Sequence, residues 1–147
     1  MSFTFPSEVG YCHADNGIYL AGGCLKEKYY WEFRKIMENG KLRNLEMMPA
    51  PKVGFPLVIW KKSNVLFSIG GFKKWKIIEV EEYSILKNKW RRHSQLPQAL
   101  SYSSAVILHS TLYIFGGSDW SKDVLQCDLS SRNDFKWNAL NLDGVRF

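Results

Sequence analysis

The sequence predicts an all-β protein assembled from about three copies of one four-stranded antiparallel unit. Three observations carry this expectation. A double glycine recurs behind hydrophobic, strand-like runs in GIYLAGG (17–23), NVLFSIGG (64–71) and TLYIFGG (111–117), with 48 and 46 residues between successive first glycines. A proline follows the second glycine by 26 residues twice, Pro49 after Gly23 and Pro97 after Gly71, each behind an unbranched apolar residue, Met48 or Leu96. Turn-forming stretches then divide each period into short runs of β-favouring residues.

In the first period Asn16-Gly17 falls where the first strand reverses into the second, and Asn39-Gly40 where the third reverses into the fourth. Asn-Gly is the preferred pair for a type I′ turn, whose two central residues need positive φ, so both hairpins are expected to be of that type. Between them, KEKYYWEFRKIMENGKL (26–42) contains helix-compatible residues. Its phase within the repeat and its aromatic content assign it instead to a strand ending at the Asn-Gly turn. The middle period is the most complete, with strands expected at GFPLVIWKK (54–62), NVLFSI (64–69), IIEVEEYSIL (77–86) and KWRRHSQL (89–96). KKSN (61–64), LKNK (86–89), LHST (108–111) and SSRND (130–134) supply turns at the equivalent places. Four antiparallel strands at this period describe the blade of a β-propeller. The chain is therefore expected to be a single repeat domain over 1–147, with approximate repeats 1–49, 50–97 and 98–147.

Composition agrees with a globular domain, since 147 residues that are 46% hydrophobic can bury a real core. No apolar run approaches the roughly 18 residues that a membrane-spanning helix needs, and MSFTFPSEVG lacks the charged start and apolar centre of a secretory signal. A cytoplasmic, intracellular protein is the expectation. Cys12, Cys24 and Cys127 are too few and too widely spaced for a disulfide framework or a zinc site, and read as small buried thiols. The net charge of +6 favours acidic partners by diffuse electrostatics. The basic residues are dispersed, however, and the densest runs, KKWK (73–76) and KWRRH (89–93), read as a solvated loop and a strand end rather than a nucleic-acid surface.

Together these landmarks resemble the kelch repeat, a propeller repeat of roughly 50 residues. The family pattern is a strand ending in a double glycine, a tyrosine about a dozen residues on, a tryptophan six or seven later, then a Leu-Pro-like pair. The middle period matches it with Gly70, Gly71, Tyr83, Trp90, Leu96 and Pro97. The third keeps Gly116, Gly117 and Trp137 with Cys127 near the tyrosine position. The first keeps Gly22, Gly23, Met48 and Pro49, and by count places Lys35 and Leu42 at the aromatic positions. Where the family often carries an arginine three residues after the proline, Lys52 and Leu100 stand here. The glycines read as structural, admitting a neighbouring backbone near the crowded hub and turning with positive φ. A phosphate-gripping loop would need G-x-G-x-x-G or a G-K-S/T ending before a helix, and neither is present. Trp90 and Trp137 are expected to pack between neighbouring blades.

The resemblance implies a non-enzymatic protein-interaction or scaffold module, with specificity in the loops and with cytoskeletal association among its settings. The connection after each double glycine carries aromatics beside lysine, in KEKYYW (26–31), KKWK (73–76) and DWSK (119–122). Tyr30, Trp31, Lys73, Lys74, Trp75 and Trp120 are thus the candidate partner patch, against the alternative that they fold back as packing. A substrate-recruiting subunit of a ubiquitin ligase is the second reading, and is expected to need a ligase-binding domain on a separate chain. A propeller enzyme, oxidase or sugar-acting, is the third. His13, His93 and His109 lie at different phases of the repeat, and Glu79, Glu81 and Glu82 form no catalytic pair, so no metal, cofactor or catalytic residue is expected. Propellers close with 4 to 8 blades, and about three are present. The arc is expected to be completed by further chain, by a second copy making six blades, or by subunits of a larger complex.

Overall fold

The computed structural model describes residues 4–118, 124–131, 135–140 and 142. It contains three four-stranded antiparallel blades in sequence order and, among the described residues, no α-helix. Blade one is β1 (Gly10–Ala14), β2 (Gly17–Ala21), β3 (Phe33–Met37) and β4 (Leu42–Asn44). Blade two is β5 (Leu57–Trp60), β6 (Val65–Ile69), β7 (Glu79–Ser84) and β8 (Lys89–Gln95). Blade three is β9 (Ser104–Leu108), β10 (Thr111–Phe115), β11 (Val124–Asp128) and β12 (Trp137–Leu140). The first strands of successive blades lie side by side and line the hub, and the blades do not close into a ring.

The hairpin tips differ from the Asn-Gly expectation. Ala14 pairs with Gly17, so Asp15 and Asn16 form the tip, and neither has positive φ. Gly17 opens β2 at φ 143°, and a Cβ there would collide with Ile36 O, which is why the position is glycine. At the second tip Gly40 N–H donates to Met37 O (2.8 Å) and Met37 N–H to Lys41 O (2.9 Å). That is a three-residue loop with Gly40 alone left-handed, at φ 77°.

Because side chains alternate across a strand, each blade has two faces. The leading face looks toward the preceding blade and the trailing face toward the following one. Between blades one and two, Cys12, Tyr19, Ala21 and Phe33 meet Leu57, Leu66 and Tyr83. Between two and three, Val58, Trp60, Phe67 and Ile69 meet Leu112, Ile114, Leu125 and Cys127. Every residue of β6 is consequently buried. Trp90 stacks edge-on to Phe33 of blade one (5.0 Å between ring centres), and its indole N–H donates to Glu46 O (3.0 Å). Trp137 is partly buried against the cluster between blades two and three.

The ladders correct one position of the repeat. Tyr83 lies opposite Leu66, Cys127 opposite Leu112 and Ile36 opposite Ile18, so the counterpart of Tyr83 in blade one is Ile36, not Lys35. The spacing from the first glycine is 14 residues to Ile36 against 13 to Tyr83, and this extra residue defeats counting. Lys35 faces blade two instead, donating from Nζ to Asn16 Oδ1 (2.6 Å) over the Tyr19 ring. Leu42 lies opposite Ile36 as Trp90 lies opposite Tyr83, and both blade-one residues fall on the outward, leading face.

Blades are joined across their double-glycine ends. Gly23 N–H donates to Lys52 O (3.1 Å), and Gly71 N–H to Leu100 O (2.8 Å). A Cβ on Gly22 would stand 2.5 Å from Lys52 O, and one on Gly70 2.5 Å from Leu100 O. The backbone that crowds these glycines is therefore the segment linking one blade to the next. The pairs share one conformation, φ 66° then 107° in blade one, 59° then 114° in blade two, and 66° then 125° in blade three. At Gly116, among the described residues, nothing approaches the Cβ site within 4 Å.

The same segment buries an ion pair. Lys52 Nζ lies 2.9 Å from Glu81 Oε2, the two side chains being 1% and 4% exposed. It also donates to Gly70 O (3.0 Å) and sits 4.9 Å from the centre of the Phe55 ring. Burial pulls the lysine pKa below its ordinary value although Glu81 opposes that shift, as expected when desolvation outweighs the ion-pair attraction.

Two substitution series check these joints by chemical denaturation. Lys52→Met leaves Glu81 unpaired and is expected to cost about 3–5 kcal/mol, most of it recovered when Glu81→Leu is added. Gly70→Ala is expected to cost about 2–5 kcal/mol, from left-handed strain plus the collision with Leu100 O, whereas in the single chain Gly116→Ala carries the strain alone, about 1–2 kcal/mol.

Candidate functional site

Immediately after the double glycine, the chain of blades one and two rises into a short two-stranded finger. In blade one Cys24–Leu25 pairs with Lys28–Tyr29, and in blade two Phe72–Lys73 pairs with Trp75–Lys76. The tips are Lys26 and Glu27 (φ 48° and 64°) and Lys74 (φ 63°). Left-handed backbone at residues bearing a Cβ costs roughly 1–3 kcal/mol each and persists only where surrounding structure holds it. Here the base does so: Ser7 and Cys24 exchange backbone hydrogen bonds of 2.8 and 2.9 Å, and Val53 and Phe72 exchange bonds of 3.0 and 2.8 Å.

The fingers place the sequence-derived patch as follows. Trp75 is 68% exposed on the finger of blade two, with Lys73 half-buried and Lys74 exposed beside it. Trp31 is 47% exposed where the blade-one finger returns toward β3. Its N–H donates to Glu32 Oε2 (3.1 Å) and its carbonyl accepts from Met48 N–H (2.9 Å), so the backbone is fixed while the indole stays accessible. Tyr30 is half-buried, its N–H donating to Gly23 O (2.9 Å) and Lys28 Nζ lying 5.2 Å from its ring centre. Trp120 lies outside the described residues. The structural motif residues Tyr83, Trp90 and Trp137 belong to the blade interfaces and take no part in this face.

Sequence reasoning missed the mouth of the hub, which opens beside the finger bases. Glu8, Gly54 and Tyr102 occupy the same place in their repeats, one residue after Ser7, Val53 and Ser101, and share φ of 57°, 61° and 57°. Tyr102 N–H donates to Gly54 O (2.7 Å), and its hydroxyl donates to Glu8 Oε2 (2.9 Å), tying blade three to blade one across the opening. A Cβ on Gly54 would lie 2.9 Å from the Tyr102 ring, so glycine lets the ring lie flat over the mouth. These residues with Val9, Phe55 and Ser103 line a depression of about 250 Å³. The signal was the shared left-handed conformation, which residues as unlike as Glu, Gly and Tyr do not announce.

Chemically, the face offers aromatic area, lysine charge and backbone carbonyls. Among the described residues no group of three or more His, Cys, Asp or Glu is arranged to hold a metal ion. His13 lies on β1, His93 on β8 against Phe67 and Phe135, and His109 at the β9–β10 tip. No helix among the described residues is long and apolar enough to cross a membrane.

No family model matches the chain. Among curated proteins it is similar to Kelch-like protein 35 of Mus musculus, 26% identical over 125 residues that cover 82% of this chain and 21% of the relative. The Homo sapiens Kelch-like protein 35 is 24% identical over the same shares, and Kelch-like protein 40 of Xenopus tropicalis is 28% identical over 109 residues, 70% of this chain and 17% of the relative. The chain thus spans about a fifth of the length of the curated relatives it matches. Kelch-type repeats account at once for the sequence motifs, the blades and these relatives.

Burial raises the Tyr102 phenol above its ordinary pKa, with the hydrogen bond to Glu8 adding to the shift. Its contribution to stability is therefore complete below the unfolded phenol's value of about 10 and fades as pH rises beyond it. Glu8→Ala is expected to move the Tyr102 titration back toward 10, read from phenolate absorbance with Tyr102→Phe as the blank.

Proposed function

We propose that this chain is a non-enzymatic protein-binding module of kelch type, working in the cytoplasm within a larger assembly, and that its partner sits on the fingers and hub mouth. The observation that carries this reading is the pair of exposed indoles, Trp31 at the return of one finger and Trp75 on the other, beside finger tips held in costly left-handed turns. Tryptophan supplies large contact area at little entropic cost and is enriched among the few residues that dominate interface energetics. Lys26, Lys28, Lys73 and Lys74 lie on the same two fingers, and with the net charge of +6 they favour an acidic partner surface.

Affinity capture with the 147-residue chain from its native source tests this. Trp31→Ala and Trp75→Ala are each expected to weaken retention of a specific partner by at least about tenfold, corresponding to 1.4 kcal/mol or more, without loss of folded signal in circular dichroism. Retention unchanged in the double variant overturns the reading. The captured material also separates a scaffold from a substrate-recruiting subunit: the second brings down ubiquitin-ligase subunits together with a ubiquitinated protein.

A further inference from the structure

Among the described residues, blade two is covered on both faces, whereas blades one and three each leave one face open. The open leading face of blade one carries Tyr11, Ile18, Leu20, Ile36 and Leu42, with Tyr11 72% exposed. The open trailing face of blade three carries Val106, Leu108, Tyr113 and Phe115, all but Tyr113 exposed. These are not two unrelated patches. Inside the chain a trailing face meets a leading face twice, between blades one and two and between two and three, so each open face lacks the partner that the other one is.

The two ends also complement each other in shape. Phe115 is the last trailing-face residue before the double glycine, the position held by Ala21 and Ile69 in the internal interfaces, where both are fully buried. At the same double-glycine end of blade one, a groove of about 180 Å³ opens between Leu20, Gly22, Tyr30, Arg34 and Phe5. An exposed phenylalanine at one end is thus matched at the other by a largely apolar groove, with Glu32 and Arg34 in its wall, that can seat an aromatic ring. Gly116 meanwhile offers the left-handed site that accepts an incoming carbonyl at Gly22 and Gly70.

We propose that two copies of this chain dock leading face to trailing face at both ends and close a six-bladed ring. Two copies of this three-bladed chain supply six blades, within the 4 to 8 that close a propeller, whereas three copies would supply nine. The contact is heterologous, yet a two-fold axis closes it, because each copy gives its leading face to one interface and its trailing face to the other. The surface is distinct from the fingers, so its failure leaves the partner-binding reading untouched.

Sedimentation velocity on the 147-residue chain, Tyr11→Glu, Phe115→Glu and their equimolar mixture tests the ring, with circular dichroism reporting the fold of each. The expected result is a two-chain particle for the unmodified chain at ~50 µM, self-association of each variant weakened by at least about tenfold, and recovery of a two-chain particle in the mixture. Recovery follows because the intact leading face of Phe115→Glu meets the intact trailing face of Tyr11→Glu. A monomer, an open polymer, or a dimer sensitive to only one of the two substitutions overturns the proposal. Hydrogen exchange on the unmodified chain needs no variant: amides at 18–20 and 113–115 slow together as concentration rises, and rates independent of concentration count against the ring.

Discussion

The whole arrangement depends on a backbone carbonyl seated where a side chain would otherwise be. Lys52 O rests on Gly22 and Leu100 O on Gly70, each at a distance no Cβ tolerates, while the glycine that follows donates its N–H to that same carbonyl. This contact fixes the segment that leaves one blade and enters the next, and so sets how far the following sheet is offset and turned. The interlocking of Trp90 with Phe33, and of Phe67 with Phe135, follows from that placement. Glycine is needed twice over, for the approach and for the positive φ that aims the chain into its finger.

Repetition explains why the two ends of the molecule and its middle differ so much. A four-stranded blade has two apolar faces and only its neighbours to cover them, so stability accrues at the interfaces between repeats rather than within each one. The side chains of blade two are almost wholly committed in this way, and the same positions in blades one and three are left in solvent. The fingers and the hub mouth stand apart from these interfaces, and most of the left-handed residues with side chains are concentrated there.

Much of this was legible in the sequence. The double glycines report a backbone conformation that nothing else adopts as cheaply, and the runs read as 64–69, 77–86 and 89–96 became Val65–Ile69, Glu79–Ser84 and Lys89–Gln95. The Asn-Gly pairs marked the hairpins but not their geometry, because the flanking ladders placed Gly17 after its tip and made Gly40 the last residue of a three-residue loop. Lys35 was misplaced by one residue since strand pairing, not distance along the chain, defines equivalence, and a one-residue slip reverses the face. Finger tips built from Lys and Glu give no turn signal. The Tyr102 to Glu8 contact joins residues 94 apart and becomes visible only when three blades stand around one axis.

The place where each blade receives its entering segment is written in three different chemistries. Pro6 and Arg34 occupy it in blade one, Lys52 and Glu81 in blade two, and Leu100 and Leu125 in blade three, by the equivalence of the bridges and ladders. Repeats this alike risk docking out of order as the chain collapses. Were segment 48–55 to settle against blade three, Lys52 would lose its carboxylate and bury a lone ammonium beside Leu125, at a cost of several kcal/mol. The ion pair thus makes that one wrong neighbour expensive for the segment that carries Lys52.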